Sequence, residues 1–161
     1  MAAGGYLTLA DSYLTANTAT SIGGGLHVDG GTAVLLRVTL DNNNANYGGG
    51  IFNNGALTLT DVTLADNNAT SGGGGLYNNQ SATLSNATLA TNNTGDGGAI
   101  FNSATATITL SNGTLSGNQA NFGGGLFNNG VATLIHVTVA GNQALGGGCG
   151  LIHNSGGGPH L

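Results

Sequence analysis

Leucine returns along this chain at Leu9, Leu35, Leu59, Leu84, Leu110 and Leu134, at spacings of 26, 24, 25, 26 and 24. Five residues after each stands a second apolar position: Leu14, Leu40, Leu64, Leu89, Leu115 and Val139. Eight after each stands asparagine: Asn17, Asn43, Asn67, Asn92, Asn118 and Asn142. A glycine-rich cluster then closes on Leu26, Ile51, Leu76, Ile100, Leu126 or Leu151. A fixed period in this range predicts a solenoid, in which each unit buries its apolar face only against its neighbours.

Two solenoids fit part of the period. The segment "LTDVTLADNNA" (59–69) matches the leucine-rich-repeat template, with Val62, Leu64 and Asn67 in register. That fold needs a helix or similar convex return, but "TSGGGGLYNNQSA" offers mainly the helix-poor residues Gly, Asn and Ser. The alternating "ALTLT" that follows "NNG" in the preceding period predicts a strand. The expected fold is therefore all-β, a right-handed parallel β-helix of about six coils, with residues 1–161 forming a single β-solenoid domain. Coils about 4.8 Å apart align equivalent residues in columns. Asn17, Asn43, Asn67, Asn92, Asn118 and Asn142 are then expected to form a side-chain amide ladder. Glycine supplies the corners.

Composition narrows the function classes. Of 161 residues only 4% are charged, Arg37 is the single Lys or Arg, and the formal net charge is -5. Nucleic-acid binding is not expected, since phosphate neutralisation needs clustered cations. No apolar run has the length of a membrane-spanning helix, so membrane insertion by this segment is not expected either. Cys149 is the lone cysteine, and "MAAGGYLTLA" lacks the pattern of a secretory signal. The chain is read as a fragment of, or module in, a longer surface protein.

The succession [Leu/Val]-x-x-Asn and Gly-Gly-Gly-[Leu/Ile], with a literal GGAI inside "GGAIFN" (97–102), resembles the FxxN and GGAI repeats of chlamydial polymorphic outer membrane proteins. Related right-handed β-helix repeats occur in many bacterial surface proteins. The resemblance implies an extracellular or cell-surface location and a structural or adhesive role, with a host or cell-surface ligand as partner.

Three outward columns offer candidate chemistry. Asp11, Arg37, Asp61, Asn86, Asn112 and His136 follow the reference leucines by two residues, which predicts a three-residue ion ladder with Arg37 between Asp11 and Asp61. A catalytic aspartate pair is disfavoured there, because the cation lowers both pKa values. His136, Cys149, His153 and His160 cluster near the C-terminus without zinc-site spacing. No catalytic residue, metal or cofactor is expected, and the chain is read as non-enzymatic.

The second column, beside the glycine cluster, comprises His27, Phe52, Tyr77, Phe101, Phe127 and Ile152. Its rings either stack on one another or form an interaction stripe, Phe52, Tyr77, Phe101 and Phe127, for sugars or a neighbouring solenoid. In the third, Thr8, Thr58, Thr83, Thr109 and Thr133 line one strand face, and Thr60, Ser85 and Ser111 run beside them. Regular hydroxyl arrays on a charge-poor solenoid resemble ice-binding proteins, and Thr58, Thr60, Thr83, Ser85, Thr109 and Ser111 are the candidate face. Threonine is also an ordinary strand-surface residue.

Finally, neither "GYLTLADSYL" nor "GGGCGLIHNSGGGPHL" carries a charged edge strand or a helical cap; Pro159 follows the last assignable core residue. End-to-end self-association into fibres is the expected consequence of such open edges.

Overall fold

The computed structural model describes residues 4–155. Every regular element among them is a strand, and every strand pairing is parallel. The chain winds into a parallel β-helix of six coils, each contributing to three faces.

The first face stacks segments 6–10, 32–36, 56–60, 81–85, 107–111 and 131–135, with all six reference leucines in register. The second stacks 12–15, 38–41, 63–65, 88–90, 114–116 and 138–140. The third stacks 26–29, 51–54, 76–78, 100–102, 126–128 and 152–154. Short pairings such as Asn44–Tyr47 with Asn68–Gly72 lie between the second and third faces.

Period-two alternation turns one side chain in and the next out. Leu35, Leu59, Leu84 and Leu110 are fully buried on the first face, Leu40, Leu64, Leu89 and Leu115 on the second, and Ile51, Leu76 and Ile100 on the third. Together they form one continuous core, with Leu9, Leu14, Leu26, Leu134 and Val139 partly buried in the end coils.

Corners separate the faces, and each uses left-handed backbone. The corner between the first and second faces is the column Asp11, Arg37, Asp61, Asn86, Asn112 and His136, all with φ between 48° and 54°. The next corner holds Ala16, Asn42, Asp66, Thr91, Gly117 and Gly141, and the one before the third face Gly23, Gly48, Gly73, Gly97 and Gly123. The glycine cluster also makes room for the amides: a Cβ on Gly50 would lie 2.6 Å from the Gly75 carbonyl oxygen and 3.2 Å from the Asn67 side chain.

One assignment is corrected in the last coil. Ile152, not Leu151, pairs with Leu126, and His153, not Ile152, continues the aromatic column beside Phe127. Leu151 is half exposed. The cause is turn length: Ala144 pairs with Ala120, yet eight residues carry the chain from Ala144 to Ile152 where six carry it from Ala120 to Leu126. The extra residues shift the register.

Candidate functional site

The expected asparagine ladder is present, and its bonds from one asparagine to the next all run one way. In each of the first five coils the asparagine backbone N–H and Nδ2 donate to Oδ1 of the asparagine in the next coil, at 3.0 Å from Asn17 to Asn43 and 2.8–2.9 Å from Asn118 to Asn142. The other Nδ2 hydrogen reaches back to the preceding coil, from Asn43 to the Leu14 carbonyl, Asn67 to Leu40, Asn92 to Leu64, Asn118 to Leu89 and Asn142 to Leu115. Asn43, Asn67, Asn92 and Asn118 are fully buried. Their amides are well satisfied, as buried polar groups must be.

A second buried ladder went unread in the sequence. Asn53, Asn78, Asn102, Asn128 and Asn154 bond Nδ2 to Oδ1 at 2.7–2.8 Å up the third face. Its signal is the asparagine two residues after Ile51, Leu76, Ile100, Leu126 and Ile152; in the first coil Val28 takes the place. An exposed ladder of the opposite direction, Asn93 Nδ2 donating to Asn68 Oδ1 and Asn68 Nδ2 to Asn44 Oδ1, flanks the first.

The charged corner column divides into pairs. Arg37 grips Asp11 with two hydrogen bonds of 2.5 and 2.7 Å, while Asp61 accepts from Asn86 Nδ2 at 2.8 Å. The expected three-residue ion ladder is thus one ion pair and one amide–carboxylate pair. Hydrogen bonding to Arg37 holds the Asp11 carboxyl below its ordinary range. Both side chains are more than half exposed, a setting in which ion pairs contribute little to stability.

The aromatic column is a stack. Phe52 and Tyr77 lie 5.0 Å apart between centroids, Tyr77 and Phe101 4.6 Å, Phe101 and Phe127 5.1 Å, and Phe127 and His153 4.8 Å, all within 16° of parallel. His27 meets Phe52 edge-on. Phe52, Tyr77, Phe101 and Phe127 are half-buried. The interior rings cover one another's faces and present their edges to solvent. Asp96 sits beside this column, bridged to Gly72 and Phe122 in adjacent coils, and burial raises its carboxyl pKa against the opposing effect of His153.

The candidate hydroxyl face is in register: Thr58, Thr83, Thr109 and Thr133 align, as do Thr60, Ser85 and Ser111, with Val34, Leu36 and Ile135 interrupting the rows. A second threonine column went unread. Thr39, Thr63, Thr88, Thr114 and Thr138 align on the second face, with Tyr13 in their place in the first coil.

No group of three or more His, Cys, Asp or Glu side chains close enough to share a metal ion occurs among the described residues. Cys149 is exposed, and His160 lies outside the described residues together with Pro159. The large exposed apolar side chains concentrate at the two ends of the solenoid. Tyr6, Leu7 and Tyr13 mark the first coil, where Tyr13 is 80% exposed, and Val131, Ile135, Leu145, Leu151 and Ile152 mark the last, where Leu145 is 64% exposed.

In comparisons with known proteins the chain matches no family model, no curated protein and no solved structure.

Proposed function

We propose that this chain is a non-catalytic structural or adhesive module of a secreted or cell-surface protein that associates end to end through its open coils. The observation that carries this reading is the placement of exposed apolar side chains: all but Tyr47 and Phe122 lie on the first and last coils, where the outer strands have no partner among the described residues. Such edges template further pairing. The sides of the solenoid, in contrast, present aligned threonine and serine columns, one exposed amide ladder and the edges of a ring stack. A host or cell-surface ligand is the alternative partner. Sugar recognition by Phe52, Tyr77 and Phe101 has weaker support, because stacking leaves the interior rings no free face for a sugar ring. Glycan-array binding lost in the triple alanine variant would restore that alternative.

Light scattering and electron microscopy of the purified chain test the proposal. Filaments with an axial repeat of about 29 Å, six coils at about 4.8 Å, are expected. A strictly monomeric particle at high micromolar concentration would sink it.

The aligned threonine columns favour ice binding as a second reading. It predicts thermal hysteresis that Thr83→Lys on the first face, or Thr88→Lys on the second, abolishes without unfolding the protein. Absence of hysteresis and of ice-crystal shaping in the unsubstituted chain removes it.

A further inference from the structure

We infer that copies of this chain join head to tail, the last asparagine rung of one copy, Asn142, donating to the first rung, Asn17, of the next. The inference rests on the end-to-end reading and specifies its polarity and contacts. Each rung from Asn17 to Asn118 donates its N–H and Nδ2 to the Oδ1 of the following coil. The two ends of the ladder are therefore chemically unlike. At the last coil, Asn142 has given one Nδ2 hydrogen to the Leu115 carbonyl, and its N–H and second Nδ2 hydrogen have no acceptor among the described residues. At the first coil, Asn17 Oδ1 receives no donor among the described residues.

Continuing the helix across a junction brings these groups together. Asn142 N–H and Nδ2 meet Asn17 Oδ1, and Asn17 Nδ2 returns to the Val139 carbonyl, as Asn142 itself returns to Leu115. Head-to-head contact would set acceptor against acceptor, and tail-to-tail contact donor against donor, each leaving buried groups unpaired. The same continuation carries the core across: Leu134 meets Leu9, Val139 meets Leu14, and Ile152 meets Leu26. In the corner column His136 meets Asp11, and in the aromatic column His153 meets His27. A recess of about 210 Å³ opens at the first-coil end, lined by Tyr6, Leu7, Leu26, His27, Val28 and Asp29 among others. It lies along the edge of 26–29 that has no strand partner among the described residues, where strand Ile152–Asn154 of the preceding copy would add. The second ladder contributes no side-chain bond, since Asn154 would face Val28. Because the contact is heterologous and its translation does not close, the product is an open polar filament.

Cross-linking tests polarity directly. In a Cys149→Ser background, chains carrying Thr8→Cys are mixed with chains carrying Thr133→Cys and mildly oxidised; in-register neighbours lie within disulfide reach. The mixed disulfide is expected to dominate both homodisulfides. Filaments in which Thr8→Cys pairs with itself would overturn the polarity while leaving end-to-end association intact, whereas chains that stay monomeric overturn both. As a second arm, Asn17→Ala, with folding followed by circular dichroism, is expected to raise the concentration needed for assembly about tenfold. Unchanged assembly by a folded Asn17→Ala chain would remove the ladder from the junction.

Discussion

Thr94 stands in an inward column that is otherwise alanine, Ala45, Ala69, Ala120 and Ala144, and its buried Oγ1 has no hydrogen-bond partner. A buried hydroxyl without a partner costs about 1–3 kcal/mol. Thr94→Ala is therefore expected to raise the denaturation midpoint, and a clear loss of stability would show that the hydroxyl contributes favourably. Thr91 departs from its neighbours differently. It holds φ at 54° in a corner where the next two coils have Gly117 and Gly141, and β-branched residues tolerate that region poorly. Thr91→Gly should stabilise by about 1 kcal/mol, measurable by urea unfolding. Asn67 is the opposite case, fully buried with its amide bonded on both sides. Asn67→Leu should cost about 1–3 kcal/mol, and Asn17→Leu at the open edge less. Equal, negligible effects would count against a structural role for the ladder. These residues were unequally legible in the sequence. Asn67 announces itself because every coil repeats it, but Thr91 and Thr94 look like ordinary strand threonines until backbone geometry and packing place them.

At the scale of the element, the ring stack joins coils along one edge of the third face. Phe101 lies between Tyr77 and Phe127, so Phe101→Ala removes two stacked pairs, expected to cost about 1–3 kcal/mol at about 0.5–1.5 per pair. His27→Ala, at the end of the column, should fall within about 0.5 kcal/mol of the unsubstituted chain. Asp96 beside the stack adds a pH dependence. Burial raises its folded pKa, so below the ordinary aspartate value the carboxyl is neutral folded and unfolded. As pH rises through that value the unfolded chain ionises first and stability falls, until the folded carboxyl ionises as well. Asp11 acts in the opposite sense: its lowered folded pKa contributes stability that is lost as pH falls through it. The difference in melting temperature between the unsubstituted chain and Asp96→Asn should therefore change across the window just above the ordinary aspartate pKa. A difference independent of pH would remove Asp96 as its source.

For the whole molecule, interior coils have neighbours on both sides and, among the described residues, the end coils do not, so assembly is expected at the ends. Much of the solenoid was legible because repetition makes long-range contacts local in sequence terms: each core leucine meets its own equivalent one period away. Strand alternation then decides which side chains enter the core, and the recurring asparagine marks the first ladder. Tertiary structure decided what the period leaves free. Whether a corner residue takes left-handed backbone depends on how the faces meet, and Asp11, Arg37, Asn86 and His136 all do so despite unlike chemistry. Arg37 has a carboxylate in either neighbouring coil; its hydrogen bonds go to Asp11, while Asn86 occupies Asp61. The register of the last coil followed the length of its turn, which moved His153 into the ring stack and Ile152 into the line of core residues. The direction of the ladder bonds, and with it the difference between the two ends, depends on amide orientations that no spacing of asparagines along a chain encodes.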